Sequence, residues 1–147
     1  MLTGELPGAW TTGDVDLLDC HLPEDRELVL CAAEEVGREL GLSPSWMSED
    51  CGLHRWAIPD GWKDRRILVG TFGRLKIFAI GRIDLIAMKF LAGRGSDLEH
   101  LHHLRVTESE RYSVRTLLTA MKADHPGEIG TIEKAPDDLA HWPGTHE

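Results

Sequence analysis

The sequence predicts an α+β fold, on three observations. Two apolar runs, Arg66-Ile67-Leu68-Val69-Gly70 and Leu75-Lys76-Ile77-Phe78-Ala79-Ile80, flank a turn at Phe72-Gly73-Arg74 and read as two joined strands. Val15, Leu17 and Leu18 mark a further short, buried strand near the start. Apolar residues at helical spacing fill separate stretches before and after the strand pair, so strands and helices are laid out in different segments.

In the first strand, period-two alternation places Asp14 and Asp16 on one face. Pro23 suits a first helical turn, and Glu24, Asp25 and Glu27 complement its positive end. Leu28, Val29, Ala32, Ala33, Val36 and Leu40 then form the stripe of a helix that Gly41 ends. Ser43 to Asp60, holding Trp46 and Trp56 with Trp62 just beyond, reads as a packed irregular region with one short helix or strand. After the hairpin, a helix runs over Ile83–Ala92 until Gly93 and Gly95 break it. Ser96-Asp97-Leu98-Glu99 reads as a capping box opening a short helix with the stripe Leu98, Leu101 and Leu104. Thr107-Glu108-Ser109-Glu110 is a second capping box, ahead of a helix carrying Val114, Leu117, Leu118 and Met121. Residues 126–147 read as a Pro- and acid-rich tail, mobile or loosely docked, behind a domain at 1–125.

A length of 147 residues with 41% apolar and 28% charged suits one globular domain. No apolar run approaches the roughly 18 residues of a membrane span, so no membrane partner is expected. The first residues lack the basic flank and apolar stretch of a signal peptide, which predicts a cytoplasmic location. Cys20, Cys31 and Cys51 are odd in number and widely spaced, which fits reduced thiols. The net charge of −9 opposes non-specific nucleic-acid binding. A local basic stretch remains: Lys63, Arg65, Arg66, Arg74, Lys76, Arg82, Lys89 and Arg94 all fall between positions 63 and 94.

Two features carry chemistry. Asp14 and Asp16 would repel each other on one strand face, and a hard cation with oxygen ligands resolves that conflict; Mg²⁺ takes one or two carboxylates plus substrate phosphates. The plainer reading is a strand end with two solvated side chains. Lys89 sits on a helix that is apolar almost all round, so its ammonium calls for an anion, either a carboxylate such as Asp97 or a bound phosphate. Its alternative is a long stem that carries the amine to water. Arg94 suits a phosphate fork but equally suits the carbonyls ending the preceding helix, and Asp97 equally complements a helix dipole. Cys51-x-x-His54 and the cluster His100, His102 and His103 raise structural zinc, yet no paired Cys-x-x-Cys or His-x-x-x-His accompanies them. P-loop, Rossmann and nucleophile-elbow motifs do not occur.

Three blocks in this order carry a family resemblance: Thr12-x-Asp14-x-Asp16-Leu17-Leu18, Ile58-Pro59-Asp60-Gly61-Trp62-x-x-Arg65, and Asp84-Leu85-Ile86-Ala87-Met88-Lys89-Phe90-Leu91-Ala92-Gly93-Arg94-Gly95-x-Asp97-Leu98. The stretch from about Thr12 to Leu104 resembles minimal nucleotidyltransferases of the DNA polymerase beta superfamily, in the bacterial branch related to AbiE-type abortive-infection toxins. The resemblance implies a small mixed β-sheet flanked by helices, with the Asp14 strand, the 66–70 strand and the 75–80 strand in one sheet. It implies that Asp14 and Asp16 are the catalytic, metal-binding pair, holding Mg²⁺ or Mn²⁺. Lys89, Arg94 and Asp97 become the nucleotide- or phosphate-handling group. The activity implied is transfer of a nucleotide from a nucleoside triphosphate to an RNA or protein acceptor, as one half of a toxin–antitoxin pair.

This chain departs from that pattern. Family members carry a helix and a glycine-rich or Gly-Ser turn before the Asp-x-Asp strand, whereas thirteen residues precede Asp14 here, and Trp10 replaces the basic residue often found ahead of Thr-x-Asp. The superfamily's third carboxylate has no counterpart on Leu75–Ile80, which offers Lys76 instead. These departures lead to an alternative: a catalytically inert nucleotidyltransferase-like module that acts by protein–protein contact. They also lead to an expected homodimer, or a partner protein supplying the missing element, with Trp10 as the contact.

Overall fold

The computed structural model describes residues 14–49 and 57–124, and the chain divides into two compact units at Gly52/Leu53. Each unit is described by itself. Trp10, Cys51, His54, Trp56 and the 126–147 tail lie outside the described residues.

In the first unit a strand β1 (Val15–Asp16) is joined through a helix α1 (Pro23–Leu40) to a parallel strand β2 (Met47–Ser48). Val15 pairs with Met47 and Asp16 with Ser48, and the Val15 and Leu17 amides donate to the Trp46 and Ser48 carbonyls at 2.6 and 2.7 Å. A parallel pair needs a crossover of this kind, which the 18-residue helix supplies. Pro23 opens α1, Glu24 and Asp25 fill its first turn, and Gly41 closes it in a left-handed conformation at φ 66°. The Gly41 amide donates to Arg38 O and the Leu42 amide to Gly37 O, the two bonds of a Schellman stop.

The covered line of α1 differs from its apolar stripe. Ala33 and Gly37 are buried, while Leu28, Ala32, Val36 and Leu40 are exposed, Leu40 by 67%. Trp46 decides which line is covered. Its indole N–H donates to the Ala33 carbonyl at 2.8 Å, and its ring lies against Gly37 so closely that an added Cβ would meet Nε1 at 2.4 Å. An Arg26–Glu49 ion pair also ties α1 to the chain after β2. The buried strand expected at Val15 is not observed: Val15 is 46% exposed, because a two-residue strand paired on one edge offers little cover.

The second unit begins with a short helix α2 (Trp62–Arg65), then a hairpin of β3 (Ile67–Phe72) and β4 (Leu75–Ala79), then helices α3 (Arg82–Ala92), α4 (Gly95–His103) and α5 (Glu108–Asp124). Phe72 pairs with Leu75, leaving Gly73 and Arg74 as the turn, with Gly73 at φ 62° where a side chain would be strained. The single sheet expected to unite the Asp14 strand with both hairpin strands is not what forms among the described residues. Strand β1 pairs with β2 and β3 pairs with β4, in two separate two-stranded sheets, one parallel and one antiparallel. The backbone groups of β1 are used by a neighbour that is short and polar at its end, which carries almost none of the alternation that reveals strands in sequence.

Helices α3, α4 and α5 build the core. Ile86, Leu91, Leu101, Val114, Leu118 and Met121 interlock there, with Ala57 and Val106 beneath. No residue of α3 from Ile83 to Ala92 is exposed, as its apolar circumference requires. The predicted box at Thr107 forms in full. Glu110 N–H donates to Thr107 Oγ1 at 3.3 Å, and Thr107 N–H donates to Glu110 Oε2 at 2.8 Å. Arg82 joins it, donating to Glu110 at 2.5 Å and to the Leu104 carbonyl at 2.6 Å, so the starts of α3 and α5 are clamped together. The box expected at Ser96 does not form. Arg94 is the N-cap of α4, without a side-chain capping bond, and Ser96 lies inside the first turn.

Gly37→Ala is expected to destabilise the first unit by about 1–3 kcal/mol through overpacking against Trp46, outweighing the propensity gain of roughly 0.5–1 kcal/mol from alanine. Urea denaturation checks this, and the cost of Gly37→Ala should largely disappear when it is measured in a Trp46→Leu background, as a double-mutant cycle reads it.

Candidate functional site

Two carboxylates are sunk at helix starts in the second unit, Asp84 at 0% and Asp97 at 2% exposure. Both occupy the third residue of their helix, where the free backbone N–H groups and the helix dipole favour negative charge. A buried carboxylate still needs a cation.

Arg65 serves Asp84. Its Nη2 donates to Oδ1 at 2.6 Å and its Nε to Oδ2 at 3.0 Å, a fork that fits the carboxylate plane. The same guanidinium donates to the Asp60 carbonyl at 2.8 Å and lies against Gly61, whose φ of 71° starts α2. The Asp84 hydrogen bond raises the Arg65 pKa further. Gly81 is required beside this pair, since a Cβ would meet the Arg65 carbonyl at 2.6 Å and Asp84 Oδ2 at 3.0 Å. The Ile58–Arg65 block is therefore a structural device that locks α2 onto the start of α3.

Asp97 gathers the residues singled out in the sequence. Gly93, left-handed at φ 59°, ends α3 with its N–H on the Lys89 carbonyl, and α4 begins two residues later. This reversal brings Asp97 back over the last turn of α3. Lys89 Nζ donates to Asp97 Oδ1 at 3.2 Å, and Arg94 Nε donates to Oδ2 at 2.6 Å. Lys89 Nζ also lies 3.1 Å from His100 Nδ1, so the ring presents a lone pair there when the ammonium donates. Burial by itself would raise the Asp97 carboxyl, but the hydrogen bonds from Arg94 and Lys89 outweigh it and hold the group below the usual carboxylate range. The anion expected for Lys89 is thus Asp97, one turn of chain away through a glycine break.

Asp14 and Asp16 stand in the other unit, immediately before and at the end of β1, and both are exposed. The Ser48 hydroxyl lies 3.5 Å from Asp16 Oδ1. Among the described residues no group of three or more His, Cys, Asp or Glu side chains is placed to hold a metal ion. His103 Nδ1 is turned to the Glu99 carbonyl at 2.8 Å.

Sequence reasoning missed two members of these clusters. One is Asp84, although an acid in the first turn of a largely apolar helix, with an arginine on the preceding short helix, is a readable sign of a buried pair. The other is His100, half-buried beside Lys89. Its spacing of three from Asp97 on α4 puts both on one face, which was the available signal. No family model matches the chain, no curated protein is significantly similar to it, and no solved structure matches it.

Asp97→Ala removes the anion from Lys89 and Arg94 and is expected to cost about 3 kcal/mol, whereas Lys89→Met leaves Arg94 on Asp97 and should cost about 1 kcal/mol or less. The depressed Asp97 carboxyl contributes stability that is complete above the unfolded carboxylate range near pH 4 and is lost as pH falls through its lower folded value. Urea midpoints at pH 7 and pH 3 test both statements, and Asp97→Asn should show a smaller acid-side loss than the wild type.

Proposed function

We propose that this chain is a nucleotidyltransferase-like module that acts through protein–protein contact rather than through nucleotidyl transfer. The observation carrying the reading is the state of the Lys89–Arg94–Asp97 junction. Both cations donate to one buried carboxylate, so a phosphate arriving there competes with an anion already held in place by the fold. The junction accordingly works as a clasp between α3 and α4. A contact role is further supported by the hairpin, which carries Ile67, Leu68, Phe72, Leu75, Ile77 and Phe78 exposed, Phe72 by 62%. Ile67, Phe72, Leu75 and Ile77 lie on one side of the hairpin and Leu68 and Phe78 on the other, and exposed apolar groups of this kind mark interaction surfaces.

A Mg²⁺- or Mn²⁺-dependent nucleotidyltransferase is the second reading, favoured by Asp14 and Asp16 standing on either side of Val15. In that reading the two carboxylates would hold the metal, which would supply charge stabilisation for transfer of a nucleotide to an RNA or protein hydroxyl.

Calorimetric titration of ATP, GTP, CTP and UTP in the presence of Mg²⁺, with the wild type and with Asp14→Asn/Asp16→Asn, separates the two. The contact reading expects no saturable binding up to about 1 mM nucleotide, which corresponds to roughly 4 kcal/mol of binding free energy. Saturable binding that the double variant abolishes would sink it in favour of the transferase.

A further inference from the structure

Two faces of the hairpin differ in chemistry. Pairing puts Ile67, Gly70, Phe72, Leu75 and Ile77 on one side and Leu68, Thr71, Lys76 and Phe78 on the other. On the second side the Arg66 guanidinium stacks on the Phe78 ring at 4.2 Å, and Arg74 sits in the turn. From Arg65 to Ile83 the sequence contains no acid, although the chain as a whole carries −9. Among the described residues Arg65 and Arg82 are paired with Asp84 and Glu110, while Arg74 and Lys76 enter no ion pair. This face thus sets one apolar pair, Leu68 and Phe78, among Arg66, Lys76 and Arg74, which calls for an acidic, amphipathic partner.

The exposed ridge of α1 has that character. Leu28, Val36 and Leu40 are exposed in line with Ala32, and at 100° per residue Glu35 and Glu39 lie along the same side. The ridge from Leu28 to Leu40 spans about 18 Å at 1.5 Å per residue, close to the roughly 17–20 Å of a hairpin strand of this length. We propose that the basic face of the β3–β4 hairpin is a docking surface for the acidic, apolar ridge of α1 in a second copy of this chain. In a two-fold dimer this contact is made twice, and opposite charges at the rim fix its register. The inference gives the contact reading above a specific partner and rests on that reading.

Light scattering on the full chain from about 1 to 100 µM tests it. The wild type should scatter at twice the 16.4 kDa chain mass. Arg74→Glu/Lys76→Glu should weaken the dimer by at least about tenfold in Kd, and Glu35→Lys/Glu39→Lys should do the same, each with unchanged circular dichroism. Combining all four reversals in one chain should restore the dimer, an outcome that simple misfolding of either double variant cannot produce. A monomeric wild type across the range overturns the proposal, as does a dimer indifferent to both reversals, or four reversals that fail to restore it. Those outcomes leave the nucleotide titration unaffected, so this inference and the contact reading fail separately.

Discussion

A carboxylate removed from water must be matched by a cation, and that constraint organises residues 57–124. Asp84 and Asp97 are placed at the third position of α3 and α4, where the backbone N–H groups already draw negative charge. What makes their burial tolerable is a guanidinium on each, with Lys89 as a second donor on Asp97. Breaking such a pair costs more than forming it gains, because the leftover charge stays in a poor solvent. The pairs therefore act as locks. Arg65 fixes the hairpin's entry to the start of α3, and Lys89 with Arg94 fixes the turn between α3 and α4.

The same logic applies at the Lys89–Arg94–Asp97 junction, where two cations beside a glycine break meet one buried carboxylate. Lysine, arginine and a glycine break are what a phosphate site requires, and also what a buried aspartate requires. The two differ in whether an anion is built into the chain. Here Asp97 is that anion, and its carboxyl is held ionised by the donors around it. The Arg82–Glu110–Thr107 cluster repeats the principle nearer the surface: the Arg82 hydrogen bond, with the Thr107 donors, lowers the Glu110 carboxyl against a smaller opposing effect of burial. Together these clusters tie the ends of the core helices, and the apolar hairpin stands as an exposed element of the same unit.

Much of this was legible in order along the chain. The Gly41 stop, the Gly73 turn, the Gly93 break and the Thr107 box are local events, decided within four or five residues, and each forms as read. The approach of Lys89 to Asp97 was legible for a related reason: an ammonium on an all-apolar helix has few anions within reach, and one lay just past a glycine break. Reading failed where a distant partner intervened. The covered line of α1 passes through Ala33 and Gly37 because Trp46 lies there, which the spacing of leucines and valines does not encode. Ser96 does not take its expected capping role, since α4 already starts at Gly95 with Arg94 as its N-cap and Arg94 paired to Asp97.

Sequence by itself determined the kinds of element, their stops and the places where charge had to be neutralised, since propensity, glycine conformation and the cost of burying an ion act on neighbours in the chain. Tertiary structure alone decided which strand pairs with which. Strand β1 joins Met47–Ser48 and the hairpin strands join each other, because ladders connect residues far apart in sequence and two-residue strands carry no pattern to announce a partner. It alone also decided the geometry of the clusters, with Arg65 Nη2 2.6 Å from Asp84 Oδ1 and Lys89 Nζ 3.1 Å from His100 Nδ1. Such pairings depend on distances in space, which spacing along a single chain constrains only across a turn or two.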